Sequence, residues 1–126
     1  IYNKTTDTLS PGNLNMGAGL AYFSEFDNGD SGAADTIDWA ANGNKQKSTL
    51  TANCTFTFTA PTGPASLLLK LAQDGVGSRT VTWPATVHWP SGTAPTLTTT
   101  VSRIDIITFY FDGTTYFGST IYNFVA

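Results

Sequence analysis

The clearest pattern in the chain is an alternation of apolar side chains and threonines from Asn53 to Thr59. Cys54, Phe56 and Phe58 occupy every second position, and threonines occupy the positions between them. Successive side chains of a β-strand point to opposite faces. The segment therefore predicts a strand with one face in the core and the other in solvent.

Two longer apolar segments predict strands inside a sheet. The segment from Ser66 to Ala72 is almost continuous in leucine, as expected of a strand that is covered on both faces. The flanking Pro64 and Gly75 leave too little room for a helix of ordinary length. From Ser102 to Asp112 one of the two alternating sets becomes wholly apolar towards its end, and we expect that part of the strand to be covered on both faces as well.

Turn signals separate the other strands. Asp112-Gly113 predicts a hairpin that returns along Tyr116 to Ser119, and Asp74 to Gly77 predicts another that leads into Arg79 to Trp83. The remaining predicted strands are Leu20–Phe26, Thr36–Trp39, Lys45–Thr51 at an edge, Val87–Trp89 at an edge, and Ile121–Val125 as a terminal strand or tail. Roughly eight strands at turn spacings of about 8 to 12 residues, with no convincing helix, predict an all-β fold, an antiparallel β-sandwich of jelly-roll type.

The length of 126 residues suits one compact domain. The first part, Ile1 to Gly19, is rich in Thr, Asn, Gly and Ser, and it has too few apolar residues to fold by itself. We interpret residues 1–19 as an extended arm or linker and residues 20–126 as a single β-sandwich domain. Because the chain begins at Ile1 without an initiator Met, it is either a processed product or a piece of something longer, and we favour the piece.

The composition argues against several classes of function. Charged residues make up 12% of the chain, and the six basic residues are scattered, so no patch is present that would neutralise a nucleic-acid backbone. No apolar run approaches the length of a membrane span. Cys54 is the only cysteine, which excludes an internal disulfide. The sequence therefore predicts neither nucleic-acid binding nor membrane insertion.

The three tryptophans are candidate stacking platforms for a sugar, because an indole covers the apolar face of a pyranose. The alternative is that they fill the core or a subunit interface, and we favour this alternative for Trp39 and Trp83. Trp89 precedes Pro90 in a proline-bracketed loop, and proline holds the preceding residue in an extended conformation. Trp89 is therefore the best candidate for an exposed contact, with His88 beside it.

A second candidate site is the polar cluster Asp27-Asn28-Gly29-Asp30-Ser31-Gly32. Asp27, Asn28 and Asp30 are candidate ligand-binding side chains in this predicted loop. Their oxygens suit calcium, but an EF-hand loop requires Asp or Asn at its third and fifth positions, where this chain has Gly and Ser. An ordinary polar loop explains the cluster better, and we predict no metal site.

Few residues of the sequence are candidates for catalysis. Glu25 and Asp27 share one face of a predicted strand and have the residue types of a glycosidase pair, but a strand running into a turn explains them equally well. His88 is the single histidine, and no serine nucleophile motif surrounds it. We therefore predict that the protein is not an enzyme and needs no cofactor.

The order of several segments resembles a module found in virion proteins of tailed bacteriophages, usually the C-terminal part of tail fibres. The resemblance covers most of the chain from Asp35 onward and implies a structural domain on the virion surface, trimeric, that displays loops towards a host cell or other virion proteins. It brings no known catalytic residues. The segments that carry it, in order, are Ile37–Trp39, Thr49–Phe58, Leu67–Lys70, Gln73–Gly75, Thr80–Pro84, Trp89–Thr98 and Ile106–Tyr116.

The leading hypothesis is a β-sandwich tip domain of a phage tail fibre on the external surface of the particle. It would assemble as a homotrimer, contact other virion proteins and bind a host glycan or surface protein through its loops. Two alternatives stay open. One is a capsid decoration or cement protein that stabilises the phage head, and the other is a small glycan-degrading enzyme of the tailspike type.

Overall fold

The computed structural model describes residues 2–3, 8–9 and 17–126. Two short strands, β1 (Tyr2–Asn3) and β2 (Thr8–Leu9), pair antiparallel near the start of the chain. The other residues of the predicted arm before Gly17, namely 1, 4–7 and 10–16, lie outside the described residues. The division into an arm and a single domain therefore stays a prediction.

Strands are the dominant regular element in the described part of the chain, as the all-β prediction requires. One four-residue helix, α1 (Trp39–Asn42), and one 3₁₀ turn (Pro90–Gly92) are the helical elements in the described residues. The strands after β2 are β3 (Phe26–Asp30), β4 (Ala34–Asp38), β5 (Lys45–Leu50), β6 (Cys54–Thr59), β7 (Ala65–Gln73), β8 (Val81–Thr82), β9 (Val87–His88), β10 (Arg103–Phe111) and β11 (Tyr116–Val125).

These nine strands form one sheet with mixed strand directions and a smaller sheet whose strands are all parallel. The larger sheet has six strands in the order β3-β5-β7-β10-β11-β9, and the smaller has three in the order β4-β6-β8. Strand β10 is antiparallel to both β7 and β11, but β3-β5, β5-β7, β4-β6, β6-β8 and β9-β11 are all parallel pairs. The prediction of antiparallel sheets is therefore wrong, while the sandwich and jelly-roll details stay predictions.

The parallel pairs arise because the chain alternates between the two sheets from β3 to β8. Each strand in this part pairs with the strand two positions earlier, so consecutive strands never lie side by side. The predicted hairpin at Asp74 to Gly77 is wrong for this reason, since β7 and β8 belong to different sheets. The chain turns a corner here, and the Asp74 carboxylate accepts hydrogen bonds from the backbone N–H groups of Val76 and Gly77 at 3.0 and 2.8 Å.

Strands β3 and β5 differ from the prediction in position. Strand β3 begins at Phe26 and occupies the segment that we predicted as a polar loop, whereas the predicted strand Leu20–Phe26 is irregular up to Glu25. The Asn28 side chain donates to Gln46 Oε1 at 3.0 Å and to the Lys47 carbonyl at 3.1 Å, which attaches this polar strand to the sheet. Strand β5 consequently lies inside the sheet between β3 and β7, not at its edge.

Several predictions for the second half of the chain are confirmed. Strand β7 is central, β9 is an edge strand, and β10 and β11 form the hairpin around Asp112-Gly113. The predicted terminal strand is the last part of β11, which reaches Val125 after an irregularity opposite Asp105. The prediction that the end of β10 is covered on both faces is wrong, because Tyr110 keeps 54% of its surface exposed and only the opposite face, with Phe109 and Phe111, is buried.

The core is an aromatic and leucine-rich cluster to which both sheets contribute. Cys54 and Phe56 of β6 are buried, as their alternation with threonine predicts, and Phe58 is partly buried beside them. Phe109 lies at the centre of the cluster. Its ring has five aromatic neighbours at centroid distances of 5.3 to 6.3 Å, which are Trp39, Phe58, Trp83, Trp89 and Tyr116.

Candidate functional site

A surface groove forms at the point where the edge strand β9 ends. Strand β9 pairs with β11 through Val87 and His88 only. Pro90 has no backbone N–H with which to continue this pairing, and the chain instead enters the 3₁₀ turn at Pro90–Gly92. From Ser119 onward, the outer edge of β11 has no neighbouring strand among the described residues.

The groove has a volume of about 260 Å³ and no charged residue in its lining. We call it the Trp89 groove. Hydroxyl groups, prolines and aromatic rings line the groove. Its two walls come from segments that are far apart in the sequence. Its lining residues are Trp89, Pro90, Thr93, Pro95, Ser119, Thr120 and Tyr122.

The indole of Trp89 is held firmly in place. It is half-buried, with its ring centroid 5.2 Å from that of Trp83 and 5.9 Å from that of Phe109. Its six-membered ring also rests directly on Gly118, where a Cβ atom would overlap with the ring. Trp89 therefore combines the two predicted positions: it packs against the core and also lines the surface groove.

The buried carboxylate of Asp105 ties together the two segments that carry the walls of the groove. Asp105 is 3% exposed, and its two oxygens accept hydrogen bonds from the backbone N–H groups of Thr98 at 2.6 Å and Asn123 at 2.8 Å. Thr98 follows the wall residue Pro95, and Asn123 follows Tyr122. One buried side chain thus links the segment that follows Pro95 to the end of β11.

His88 lies on the other side of the Trp89-Pro90 step. It is exposed, and its ring meets that of Phe117 edge-on at a centroid distance of 5.8 Å. Both rings line a second depression of about 310 Å³, together with Trp89, Pro90 and Gly118. Trp89 lines both depressions, whereas His88 lines only the second one and does not contribute to the Trp89 groove.

The structure excludes Trp39 as a stacking surface for a sugar. Its side chain is only 3% exposed and meets Phe58 and Phe109 edge-on at 5.7 and 6.1 Å. The short helix α1 begins at Trp39, and the Asp38 side chain caps this helix by accepting from the N–H of Ala41 at 2.8 Å. Trp39 fills the core, as its packing alternative predicts, and presents no ring face to a ligand.

Asp27, Asn28 and Asp30 lie on β3, at the opposite edge of the six-stranded sheet from β9. Five strand spacings of about 4.8 Å separate β3 from β9, roughly 24 Å measured along the sheet. Asp27 accepts from the Gly29 N–H at 2.8 Å and pairs with Lys47 at 3.2 Å, and these two interactions lower the pKa of its carboxyl. The amide of Asn28 is bound to β5, whereas Asp30 is exposed.

The acidic side chains do not gather in the described part of the chain. Within residues 17–126, no three His, Cys, Asp or Glu side chains are grouped as metal ligands would be. Glu25 and Asp27 each form an ion pair with a different lysine, Glu25 with Lys70 at 3.0 Å and Asp27 with Lys47 at 3.2 Å. No helix among these residues is both long and apolar enough to cross a bilayer.

A second prominent surface is the side of the six-stranded sheet that points away from the core, which we call the outer face. Cross-strand pairs bring its apolar side chains together, with Ile106 opposite Ile121 and Ile104 opposite Phe124. The rings of Tyr110 and Phe117 stack at a centroid distance of 6.5 Å. The large exposed residues of the outer face are Tyr110, Phe117, Ile121 and Phe124, each 42% to 62% exposed.

Sequence reasoning identified Trp89 but missed the residues that shape its groove. Asp105 carried a signal, because it is the single charged member of an alternating set that is otherwise apolar, and a buried charge needs hydrogen bonds. Gly118 carried a weaker signal, since glycine inside a strand often marks the close approach of another group. Nothing local to Thr93, Pro95 or Tyr122 indicates that they meet.

Comparison with known protein families gives one match. A family model described as "Putative phage tail fibre C-terminal domain" matches residues 35–116, from β4 to the first residue of β11. The matched part contains nearly all of the core and the Trp89-Pro90 wall of the groove. No curated protein and no solved structure matches the chain.

Proposed function

The chain belongs to the family of phage tail fibre C-terminal domains, and from this membership we propose that it forms the tip of a tail fibre and binds a receptor on the host surface. Membership makes it a component of the virion that associates with other virion proteins. The proposal adds that the domain lies at the fibre tip on the outside of the particle and that it binds a receptor there. The family match over residues 35–116 is the observation that carries the proposal.

The Trp89 groove supports receptor binding. Ligand sites combine a concave shape, aromatic walls and a few polar groups at fixed positions, and the groove has all three. Trp89 is held by Trp83, Phe109 and Gly118, so little conformational freedom would be lost when a ligand settles against it. A rigid site of this kind on a loop at the sheet edge suits a protein that must recognise a surface.

The outer face supports assembly into a homotrimer. Monomeric proteins rarely expose contiguous apolar patches of more than a few hundred Å², and here apolar cross-strand pairs lie on one face at both sides of the hydrogen-bonded Thr108–Ser119 pair. A fibre made of identical chains around one axis would cover these faces with one another. In this arrangement Tyr110, Phe117 and Ile121 lie between subunits.

Adsorption of the phage that carries this protein tests the proposal. Purified protein, preincubated with host cells, should occupy the receptor and reduce the rate of phage adsorption in a manner that depends on protein concentration. The same protein added to cells that resist adsorption of the phage serves as a binding control and should not bind. Folded protein that neither binds sensitive cells nor slows adsorption would contradict the proposal.

A further inference from the structure

We infer that the Trp89 groove binds an uncharged pyranose sugar, which assigns a ligand class to the receptor site of the proposed function and rests on that function. The first observation is the absence of charge. All seven lining residues are uncharged, whereas an acidic sugar or a phosphorylated one calls for Arg or Lys. None of the described basic residues, Lys45, Lys47, Lys70, Arg79 and Arg103, lines the groove, although Arg79 lines a neighbouring depression with Pro95.

The lining also has the two kinds of groups that a neutral sugar requires. Trp89 and Tyr122 supply apolar ring surface for the C–H groups of a pyranose, and Tyr122 is 46% exposed. Thr93 and Thr120 supply hydroxyl groups that can donate and accept hydrogen bonds, and the Ser119 hydroxyl, which is hydrogen-bonded to Thr108 at 2.8 Å, can make a further one. The unpaired edge of β11 adds backbone N–H and C=O groups at the same place.

Thr120 provides an independent indication that a polar ligand belongs here. Its hydroxyl oxygen is buried to less than 1 Å² and has no hydrogen-bond partner, and a buried polar group without a partner costs about 1–3 kcal/mol. Thr120 also lines the groove, so this unpaired hydroxyl belongs to a residue that a ligand there would meet. A sugar hydroxyl bound there would satisfy it.

The local backbone argues against a peptide strand as the occupant. Strand addition requires a regular open edge, but β11 is irregular between Ile121 and Phe124, and Asn123 has a φ of 64°. Pro90 and Pro95 on the facing wall lack backbone N–H groups. Only a short part of the edge therefore has the geometry for pairing, whereas a sugar needs no periodic partner.

Saturation-transfer NMR with purified protein tests the inference with defined probes. The neutral probes are the methyl glycosides of glucose, galactose, mannose, N-acetylglucosamine and N-acetylgalactosamine, and the acidic probes are N-acetylneuraminic acid and galacturonic acid. We expect transfer to at least one neutral probe and to neither acidic probe. Transfer to acidic probes only, or to no probe, would overturn the inference.

Variants locate the binding and separate it from folding. Tyr122→Ala should weaken the affinity at least ten-fold, and the matched control Tyr22→Ala, at a tyrosine that is 81% exposed outside the groove, should leave it unchanged. Thr120→Val keeps the shape of the side chain and removes a hydroxyl that has no partner, so it should weaken sugar binding several-fold without lowering thermal stability. Binding that survives both groove variants, or an extended peptide competing for the groove in place of sugars, would overturn the inference.

The outcome also distinguishes this inference from the proposed function. If the protein slows phage adsorption but no neutral probe reaches the groove, the receptor function stands and the ligand class is wrong. If neutral sugars bind the groove but the protein neither binds host cells nor slows adsorption, the sugar site stands and the proposed function is wrong.

Discussion

At the scale of single residues, two positions outside the groove lining, Gly118 and Asp105, hold the segments that form the groove. Gly118 lets the Trp89 ring rest on the backbone of β11, and Asp105 accepts hydrogen bonds from Thr98 and Asn123, which follow the wall residues Pro95 and Tyr122 in the chain. Neither residue has to touch a ligand for its replacement to change the site. The orientation of Trp89 is therefore a property of the packed core.

Gly118→Ala tests this close packing. The added Cβ would overlap with the indole of Trp89, so the ring must move, and we expect a loss of about 1–3 kcal/mol in the free energy of unfolding. Chemical denaturation at one fixed protein concentration measures this loss, and tryptophan fluorescence should shift as the ring becomes more exposed. Gly75→Ala is the control, because Gly75 has open space around its Cα and no positive φ. Equal stability of the two variants would contradict the packing of Trp89.

Candidate residues were predictable from sequence only where local chemistry constrained them. Proline after Trp89 restricts the backbone at that position, and this is a purely local effect. The burial of Trp39 and the attachment of Asn28 to β5 depend on residues far away in the sequence, namely Phe109 and Gln46. The sequence favoured a packing role for Trp39 without identifying its neighbours, and it gave no sign that Asn28 is bound to another strand.

At the scale of elements, the corner between β7 and β8 shows how the chain passes from one sheet to the other. Arg79 forms a hydrogen-bonded ion pair with Asp74 at 2.9 Å. The backbone N–H of Arg79 donates to Gln73 Oε1, and the Gln73 amide donates to the Arg79 carbonyl, both at 2.9 Å. Side chains thus replace the strand pairing that a hairpin would have supplied.

Asp74→Asn tests the corner through its dependence on pH. Hydrogen bonds from Arg79, and from the N–H groups of Gly77 and Val76, lower the pKa of Asp74 in the folded protein. Because the pKa is lower in the folded than in the unfolded chain, the carboxylate stabilises the fold above the unfolded pKa of about 3.9, and this stability is lost as the pH falls below about 4. The variant should be less stable than the wild type at pH 7 and should lose less stability between pH 5 and pH 3.

Thermal denaturation across this pH range measures both effects. Asp30→Asn is the matched control, since Asp30 is exposed on the edge strand β3. If Asp74→Asn shows the same decline in acid as the wild type, the ion pair with Arg79 contributes nothing to the corner.

Strands were easier to predict than their partners. The alternation in β6, the leucines of β7 and the Asp-Gly turn after β10 are local signals, and each corresponds to an observed element. Strand pairing depends on which sheet the chain enters after each corner, and glycine-rich segments look alike whether they form hairpins or corners. Strand β3 gave no alternating apolar signal, because after Phe26 it consists of polar residues and glycine and is held to β5 by backbone pairing and by the Asn28 side chain.

At the scale of the whole molecule, the outer face is the feature that the isolated chain leaves unexplained. Its exposed aromatic and aliphatic residues come from the hairpin of β10 and β11, which also carries the core residues Ile107 and Phe109 on its other side. The family resemblance could be recognised from the order of short segments, because that order is read from the sequence without knowing how the strands pair. The outer face was not, since it exists only once β10 and β11 are in register.

Ile121→Lys tests whether identical chains cover this face. Ile121 is 62% exposed in the single chain, so a lysine fits the monomer, but in a trimer interface it would bury an unpaired charge. Sedimentation equilibrium at micromolar concentrations should give three times the 13.4 kDa chain mass for the wild type and a lower mass for the variant. Phe23→Lys, at a residue 62% exposed outside the hairpin, is the control and should remain trimeric. A wild-type monomer would contradict the proposed assembly.

The most direct test of the account is a cryo-electron-microscopy reconstruction of the phage particle that carries this protein. We expect three copies around the axis at the far end of a tail fibre, with the outer faces of the six-stranded sheets turned towards one another and the Trp89 grooves open to solvent. Density for the chain on the capsid surface, or at a fibre tip with the Trp89 grooves closed by other virion proteins, would contradict it.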